Sequence, residues 1–399
     1  HAAVEGSGDP GSGGSGGLVV AVAGPGTAPG VPALRIARRL ADGRRVGGPV
    51  GAVGAVGASV AGEVREVRML APGRGRIDGV AWRVTDTSGP GVLTDLAGVD
   101  ALVWVAQPTD LSAALGLRAA DRRTALLLTA RALLVSAAAA GVRHVVVVTS
   151  AEVYGARADN PVPLPDDAPL AAVLDDGLVG DLLAVEALVE QSRANHPDVR
   201  FTMLRPAVLV GAGIDTTLTR YFEAPRLLAV KGGTPLWQFC HVDDLASAAA
   251  ALVSPADGPA ATANATANAT ATAVTVGCDD ALTLREVERL AGMRRIEVGE
   301  TTAVATATQL HRVGVLPSPA SDLAYVMYPW TVGSVTLRAR GWHPAYDNET
   351  CLGVLLEAVA GRRAVGGRRI ERRDAALGAA SAAVALAATA AVLRRARRP

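Results

Sequence analysis

The stretch Val142–Gly155, VRHVVVVTSAEVYG, decides the fold of this chain. It contains an apolar, β-branched run over His144–Thr149, which is the pattern of a strand buried on both faces of a parallel sheet. Ser150 follows this run and lies four residues before Tyr154, which belongs to a Val-Tyr-Gly turn. The pattern predicts a buried strand that ends beside a serine and passes into a short turn.

A similar unit lies near the start of the chain. Leu18–Ala23, LVVAVA, is a short apolar run that stops at the glycine-rich segment Gly24–Gly30, GPGTAPG. Pro32 then stands where the first turn of a helix tolerates proline, and apolar residues recur after it at helical spacing. The order predicts a strand, a glycine turn and a helix.

Strands and helices alternate along the rest of the sequence, which predicts an α/β fold with a doubly wound parallel sheet. The further strands are expected at Glu66–Leu70, Val80–Val84, Ala101–Ala106 and Phe201–Leu204, and the helices at Thr124–Ala140, Asp175–Glu190 and Leu282–Ala291.

Composition shifts suggest how the chain is divided. The expected parts are a flexible leader (1–17), a Rossmann domain (18–250), a smaller C-terminal lobe (251–350) with a low-complexity Ala/Thr/Asn loop (259–273), a linker or helix (351–374) and an Ala-rich tail helix (375–399).

The overall composition excludes several classes of protein. The formal net charge is +1 at pH 7, so no global charge favours nucleic acid as a partner. The 3 cysteines form no CxxC pair, and the 6 histidines show no HxxxH spacing. We therefore expect neither a disulfide framework nor a metal site, and a reducing cytoplasmic setting fits.

The tail leaves two interpretations open. Ala375–Leu393 carries no charge and is flanked by arginines, and as a helix it would extend about 28 Å, just enough to cross a hydrocarbon core. Its alanine content makes the hydrophobic drive weak, so a surface-lying helix is the alternative to a membrane tail.

Four segments, in order, resemble the extended short-chain dehydrogenase/reductase family, which contains nucleotide-sugar epimerases and dehydratases. They are Leu96–Ala106 (LAGVDALVWVA), Val142–Gly155, Leu204–Gly211 (LRPAVLVG) and Trp237–Ala246 (WQFCHVDDLA). The resemblance implies binding of NAD or NADP and of a polar, sugar-nucleotide-like ligand. It also implies a homodimer, because many relatives pair through the helices beside the catalytic site.

The resemblance also implies which residues meet the cofactor. In the family a glycine loop lets backbone N–H groups and a helix N-terminus meet a pyrophosphate. Here that loop has Gly24, Gly26, Thr27 and Gly30, with Thr27 at the position of the middle glycine. A plain β–α turn that binds nothing is the alternative.

The residues after the second and third strands bear on the choice of cofactor. Ala71 stands where the family usually has an acidic residue for the ribose hydroxyls. Arg74 and Arg76 follow, and they are candidates for holding the 2′-phosphate of NADP. Asp86 matches a position that touches the adenine in relatives. The alternatives are solvated loop arginines and a turn aspartate.

The catalytic pair of the family is missing from this sequence. The family has a tyrosine and a lysine four residues apart on a helix, whereas this chain has Leu178 and Leu182 there, or Asp176 and Gly180 in a shifted alignment. Lys231 is the only lysine in the chain, and no tyrosine precedes it by four residues.

The remaining polar groups leave the catalytic role open. Ser150 could contact a substrate, and Tyr154, Asp176 or Asp181 could replace the missing acid. The alternatives are a strand-end cap for Ser150, a packed tyrosine and solvated helix carboxylates.

These observations favour an epimerase/dehydratase-like NAD(P)-binding protein with altered or absent oxidoreductase or epimerase activity. The main alternative is a non-catalytic dinucleotide sensor or a membrane-associated scaffold. A fold remnant that serves as an interaction module is a third hypothesis.

Overall fold

A seven-stranded parallel sheet forms the centre of the protein. The computed structural model describes residues 17–24, 31–45, 64–108, 110–254, 271–314, 316 and 318–366. The sheet strands are β1 (Leu18–Ala23), β2 (Val64–Ala71), β3 (Val80–Val84), β4 (Ala101–Val105), β5 (His144–Val148), β6 (Arg200–Pro206) and β11 (Ala273–Val276). Their order across the sheet is β11-β6-β5-β4-β1-β2-β3.

Helices cover both faces of this sheet, because alternate residues of its strands bury their side chains on opposite sides. On one face Val20 and Val22 pack with Ile36 and Leu245, which come from two neighbouring helices. The other face buries Val19 with residues of a second helix pair. The helices are α1 (Pro32–Arg45) and α7 (Val242–Val253) on the first face, and α4 (Ala119–Ala139) and α5 (Leu178–Asn195) on the second.

Smaller elements form a lobe beside the carboxyl ends of the strands. Three two-stranded sheets belong to it: β7 (Val208–Val210) with β10 (Phe239–His241), β8 (Leu227–Val230) with β13 (Arg295–Val298), and β9 (Leu236–Trp237) with β12 (Leu282–Thr283). The remaining helices are α2 (Val92–Asp95), α3 (Leu111–Gly116), α6 (Thr217–Tyr221), α8 (Leu284–Ala291), α9 (Glu300–Arg312), α10 (Val335–Ala339) and α11 (Asn348–Gly366).

The structure confirms the predicted doubly wound parallel sheet. It also shows that β11, which falls in the predicted C-terminal lobe, pairs with β6 at the edge of the main sheet. The lobe is therefore tied to the sheet by main-chain hydrogen bonds, and the division near residue 250 stays a prediction.

Two predicted helices begin later than expected. The helix expected from Asp175 begins at Leu178, because the Asp175 carboxylate accepts the backbone N–H of Gly177 and forms a turn there. The helix expected from Leu282 begins at Leu284, since Leu282 pairs with β9.

Several sequence predictions fall outside the described residues. They concern residues 1–16 of the leader, residues 25–30 of the glycine loop, residues 259–270 of the low-complexity loop, residues 367–374 of the linker and the whole tail helix (375–399). Within the described part of the chain, no helix is long and apolar enough to cross a membrane.

Candidate functional site

The carboxyl edge of the main sheet is the place where parallel α/β sheets bind ligands. Gly24 lies at this edge, directly after β1, and a Cβ atom added to it would lie 2.4 Å from the Cβ of Ala33. Glycine at this position therefore allows α1 to approach the strand end. Gly26, Thr27 and Gly30 lie outside the described residues, so their contact with a pyrophosphate stays a prediction.

A cavity of about 240 Å³ opens at this edge, between the ends of β1 and β4 and the first turns of α4 and α5. We call it the first cavity. The described residues that line it are Gly24, Thr87, Trp104, Val105, Ala106, Gln107, Pro108, Ala114, Arg122, Ala125, Leu126, Thr129, Leu178, Asp181 and Leu182.

The wall of the first cavity contains Leu178 and Leu182, which one of the two predicted alignments places at the positions of the family's catalytic pair. Leu178 and Leu182 lie one turn apart on α5, and Leu182 is buried. Neither side chain can donate a proton or hold a hydroxyl group. Asp181 lies between them, and its buried carboxylate accepts Nε of Arg122 at 2.5 Å and Nε of Arg123 at 2.8 Å.

The two predicted site residues of the turn after β5, Ser150 and Tyr154, have different surroundings. Ser150 caps the 3₁₀ turn Ala151–Tyr154 by accepting the backbone N–H of Glu152 at 3.2 Å. Its hydroxyl donates to Oε2 of Glu152 at 2.9 Å. Ser150 also lines a cavity, described below, so a role in ligand contact and a role as a cap both remain open.

Tyr154 is 1% exposed, and both hydrogen-bonding functions of its hydroxyl are used inside the protein. The hydroxyl donates to the backbone carbonyl of Asp166 at 2.7 Å and accepts Nη1 of Arg205 at 2.9 Å. Burial raises the pKa of Tyr154 to about 12. These contacts favour a structural role for Tyr154, and proton transfer by it stays a prediction.

Arg205 also forms a buried ion pair, which connects this tyrosine to α5. The guanidinium donates from Nη2 and Nε to the two oxygens of Glu186, at 2.6 and 3.1 Å. Thr149 completes the group by donating its hydroxyl to Glu186 at 2.7 Å. We call Thr149, Tyr154, Glu186 and Arg205 the Glu186 network, and it holds α5 against β5 and β6.

A second, smaller cavity of about 50 Å³ lies between the turn after β5 and the C-terminal lobe. We call it the second cavity. Its lining residues are Gln107, Pro108, Leu111, Ser150, Glu152, Leu178, Val179, Leu182, Ala207, Val208, Leu209, Asp215, Thr216, Thr217, Leu218 and Asp322. Leu178, Leu182, Gln107 and Pro108 border both cavities, so the two spaces adjoin.

Two carboxyl groups in the second cavity titrate far above their ordinary range. Burial raises the pKa of Glu152 to about 7, although the Ser150 hydrogen bond opposes this shift. Burial and the nearby negative charges of Glu152 and Asp175 raise the pKa of Asp322 to about 8. Groups perturbed in this way within a cleft are candidates for acid–base work. We call Glu152 and Asp322 the carboxyl pair.

Neither residue of the carboxyl pair was among the site residues predicted from the sequence. Glu152 stands within the quoted turn, and its place between Ser150 and Tyr154 was the available signal. Asp322 belongs to the 3₁₀ segment Ala320–Val326, which no motif marks. Tyr325 of that segment donates its hydroxyl to the backbone carbonyl of Glu152 at 2.7 Å and so joins the two segments.

The predicted nucleotide contacts near β2 and β3 lie on exposed loops. Asp86 follows β3, and its carboxylate accepts the N–H and hydroxyl of Ser88, which lower the pKa of Asp86. Arg74 is exposed, and Arg76 lies 3.6 Å from Asp78 in a solvent-exposed ion pair. These side chains are accessible, and their contact with a cofactor stays a prediction.

No group of three or more histidine, cysteine, aspartate or glutamate residues with metal-site geometry occurs in the described part of the chain.

Comparison with known sequences gives a family match over part of the chain. Residues 91–264 match the sequence model of the NAD dependent epimerase/dehydratase family. Over 106 residues the chain is 33% identical to uncharacterized proteins of Mycobacterium bovis (strain ATCC BAA-935 / AF2122/97) and Mycobacterium tuberculosis (strain ATCC 25618 / H37Rv). The match covers 27% of this chain and 28% of the length of those relatives.

Solved structures share the fold over most of the chain. MoeE5 in complex with UDP-glucuronic acid and NAD is 19% identical, covers 86% of this chain and 99% of its own, and has a TM-score of 0.56. UDP-glucose 4-epimerase from Thermotoga maritima is 12% identical, with 87% and 100% coverage and a TM-score of 0.57. A double mutant of the dTDP-glucose 4,6-dehydratase DesIV from Streptomyces venezuelae is 17% identical, with 87% and 98% coverage and a TM-score of 0.57.

The segment that the family model matches includes β4, β5, β6 and the helices between them, and therefore most of the lining of both cavities. At these identities the structural likenesses establish the fold alone, and the sequence match is confined to residues 91–264. Those residues are thus similar to the NAD dependent epimerase/dehydratase family, within a protein that shares the fold of the solved epimerase and dehydratase structures.

Proposed function

We propose that this protein binds NAD or NADP at the first cavity and a sugar-nucleotide-like ligand at the second. The observation that carries this proposal is the position of the two adjoining cavities at the carboxyl ends of β1, β4 and β5. That edge is the ligand-binding edge of doubly wound sheets. MoeE5, which has this fold, is described in complex with NAD and with UDP-glucuronic acid.

The residues of the first cavity fit part of a dinucleotide. Its volume of about 240 Å³ lies somewhat below the range of about 300–1,000 Å³ that is usual for small-molecule sites. Its wall combines apolar side chains, which suit a flat ring, with the amide of Gln107 and the charged groups of Arg122 and Asp181. This lining suits the nicotinamide and ribose half of a dinucleotide.

The same cavity argues against the usual chemistry of the family. A bound nicotinamide cofactor supplies hydride transfer, which in the family is accompanied by proton transfer from a tyrosine beside a lysine. Leu178 and Leu182 offer apolar surface instead. We therefore propose that oxidoreductase or epimerase activity of the ordinary kind is absent, and that the protein acts as a dinucleotide-binding sensor.

The carboxyl pair supports a second candidate, an enzyme with relocated acid–base groups. Glu152 and Asp322, with raised pKa values, line the second cavity beside Ser150. At neutral pH a carboxyl group of this kind can donate or accept a proton. In this candidate Ser150 orients a ligand hydroxyl or carbonyl, while the carboxyl pair exchanges protons with the ligand.

Calorimetric titration of the protein with NAD, NADH, NADP and NADPH tests the proposed function. We expect micromolar binding of at least one form, which corresponds to about −8 kcal/mol. No binding of any of the four forms would reject the proposal and favour an interaction module.

A second experiment tests whether Arg74 and Arg76 bind the 2′-phosphate of NADP. Changing both to alanine should then weaken the binding of NADP far more than that of NAD, and Arg83→Ala serves as an exposed control.

Absorbance at 340 nm separates the sensor from the enzyme. After addition of UDP-glucose or dTDP-glucose to the NAD- or NADP-loaded protein, the sensor predicts no reduced nicotinamide and no change in the sugar by mass or NMR. Turnover that disappears in Glu152→Gln would favour the enzyme.

We also propose a homodimer through α4. Leu128 and Val135 lie seven residues apart on this helix and are 57% and 53% exposed. Such an apolar stripe at helical spacing is typical of a helix–helix interface. Sedimentation should give a dimer that Leu128→Glu dissociates, and a wild-type monomer at micromolar concentration would reject this arrangement.

Membrane association through Ala375–Leu393 is also a proposal. It rests on the uncharged sequence between arginine clusters. A chain that ends at Arg373 should move from the membrane fraction to the soluble fraction, and unchanged partitioning would reject the anchor.

A further inference from the structure

Among the described residues that line the first cavity, Arg122 is the only cation, and Asp181 is the only other ionisable group. The rest of the wall is apolar or neutral. A ligand that carries phosphates and ribose hydroxyls would therefore find one positive charge in this cavity. That charge comes from α4, whereas the leucines that replace the family's catalytic pair are on α5.

Arg122 is held rigidly and is not neutralised. Its Nε donates to Asp181 at 2.5 Å, and its Nη2 donates to the backbone carbonyl of Asp176 at 2.6 Å. Arg123 donates to the same Asp181 carboxylate, so two guanidinium groups share one negative charge. Within the described part of the chain, Nη1 of Arg122 makes no hydrogen bond. A fixed guanidinium with an unused donor suits oxygen-rich groups.

We infer that Arg122 binds the nicotinamide half of the dinucleotide, through a ribose hydroxyl or a phosphate oxygen. This inference rests on the proposed function and assigns Arg122 as the positive group that faces the cofactor in a chain whose only lysine, Lys231, lies elsewhere. Asp181 is a positioning residue, because it orients Arg122 through a buried hydrogen bond.

Arg123 provides a matched control for this assignment. Both arginines lie in the first turns of α4, donate Nε to Asp181 and donate Nη2 to a backbone carbonyl, which is that of Asp175 for Arg123. Only Arg122 lines the first cavity. Substituting either one weakens the attachment of α5 to α4 in the same way, so a difference in ligand affinity reports on the cavity itself.

The test compares wild-type protein, Arg122→Gln, Arg122→Lys and Arg123→Gln by calorimetric titration with NAD, NADP and ADP. We expect Arg122→Gln to weaken both dinucleotides by about tenfold or more, since charged hydrogen bonds contribute about 1.5–3 kcal/mol. Arg123→Gln should change these affinities by less than about twofold, and Arg122→Lys should recover part of the loss. ADP lacks the nicotinamide half, so its affinity should change by less than about twofold in every variant.

Equal losses of dinucleotide affinity in Arg122→Gln and Arg123→Gln, or equal losses of affinity for ADP and NAD, would overturn the assignment. Arg122 would then have only the structural role of joining α4 to α5. If wild-type protein binds no dinucleotide, the proposed function itself fails, and the inference fails with it.

A second measurement does not depend on the folding of any variant. Phenylglyoxal modifies guanidinium groups that it can reach, from the surface or through the first cavity, and mass spectrometry locates the adducts on Arg122 (side chain 11% exposed) and Arg123 (27% exposed) in wild-type protein. We expect NAD or NADP to protect Arg122 but not Arg123, and equal modification of Arg122 with and without cofactor would contradict the inference.

Discussion

The Glu186 network and the carboxyl pair both lie next to the turn after β5, yet they differ in charge balance. In the network the carboxylate of Glu186 accepts three buried hydrogen bonds, from Nε and Nη2 of Arg205 at 3.1 and 2.6 Å and from the Thr149 hydroxyl at 2.7 Å.

 The fourth contact of the network joins Nη1 of Arg205 to the Tyr154 hydroxyl at 2.9 Å. The carboxyl pair, in contrast, has serine hydroxyls and further carboxylates around it, and burial keeps its pKa values high.

This difference shows how to separate structural from functional buried charge in this protein. A buried carboxylate that is paired with an arginine stays ionised and holds elements together, and removing one partner leaves an uncompensated charge. A carboxyl group with no cation beside it keeps its proton to higher pH and remains available for exchange with a ligand. Mutations in the two groups should therefore have opposite consequences.

The largest effect is expected from Glu186→Gln, which breaks the ion pair and leaves Arg205 buried without its counter-charge. The free energy of unfolding should fall by about 3–5 kcal/mol, as measured by denaturant unfolding at pH 7. Glu190→Gln on the same helix is the matched control, because its pair with Arg193 is at the surface, where such pairs contribute about 0–1 kcal/mol. A similar loss in both variants would show that burial does not distinguish the network.

The next effect concerns the pH dependence of stability. The folded-state pKa values of Glu152, about 7, and Asp322, about 8, lie above the ordinary range of carboxyl groups. The folded protein therefore holds protons that the unfolded chain has released, so this contribution is fully present below about pH 4 and is lost as the pH rises through 7 and 8. The free energy of unfolding should therefore decrease as the pH rises from about 4 to about 8.

Glu152→Gln combined with Asp322→Asn should flatten this decrease. Because both side chains keep some contact with solvent through the second cavity, we expect a change of about 1–3 kcal/mol between pH 5 and pH 8.5. Thermal unfolding across this pH range measures it, with the exposed Asp86→Asn as the control. An unchanged slope in the double variant would mean that the carboxyl pair does not hold protons in this range.

An effect of similar size is expected from Tyr154→Phe, which removes one hydroxyl from the Glu186 network. The carbonyl of Asp166 and Nη1 of Arg205 would each lose a buried partner, which should cost about 1–3 kcal/mol of stability. Dinucleotide affinity, measured by calorimetry, should stay the same. Normal stability together with lost turnover would instead support proton transfer by Tyr154.

The parts of the structure that the sequence predicts are those set by local pattern. The apolar runs at β1, β4 and β5 are visible because strands buried on both faces are continuously apolar. The common position of Leu178 and Leu182 on one wall of the first cavity is also predictable, because residues four apart share one face of a helix.

The parts that it does not predict depend on contacts between distant segments. Asp322 meets Glu152 only because the lobe folds onto the turn after β5. Arg122 meets the first cavity because the first turns of α4 and α5 lie together, and Asp181, which sequence alone suggests as a replacement acid, proves to be its ion-pair partner. No spacing within either helix encodes that approach.

The smallest effect is expected from Ser150→Ala, which removes a single hydrogen bond to the carboxyl pair. The Ser150 hydroxyl donates to Oε2 of Glu152 at 2.9 Å, and this bond lowers the pKa of Glu152 against the effect of burial. Without it the Glu152 pKa should rise, while stability at pH 5 should change by no more than about 1 kcal/mol. NMR titration of the Glu152 carboxyl carbon measures the shift, and Ser88→Ala, which alters the exposed Asp86 instead, is the control. A lower or unchanged Glu152 pKa would mean that the serine does not set the charge of the carboxyl pair, and its place in the second cavity would then be explained by capping the turn alone.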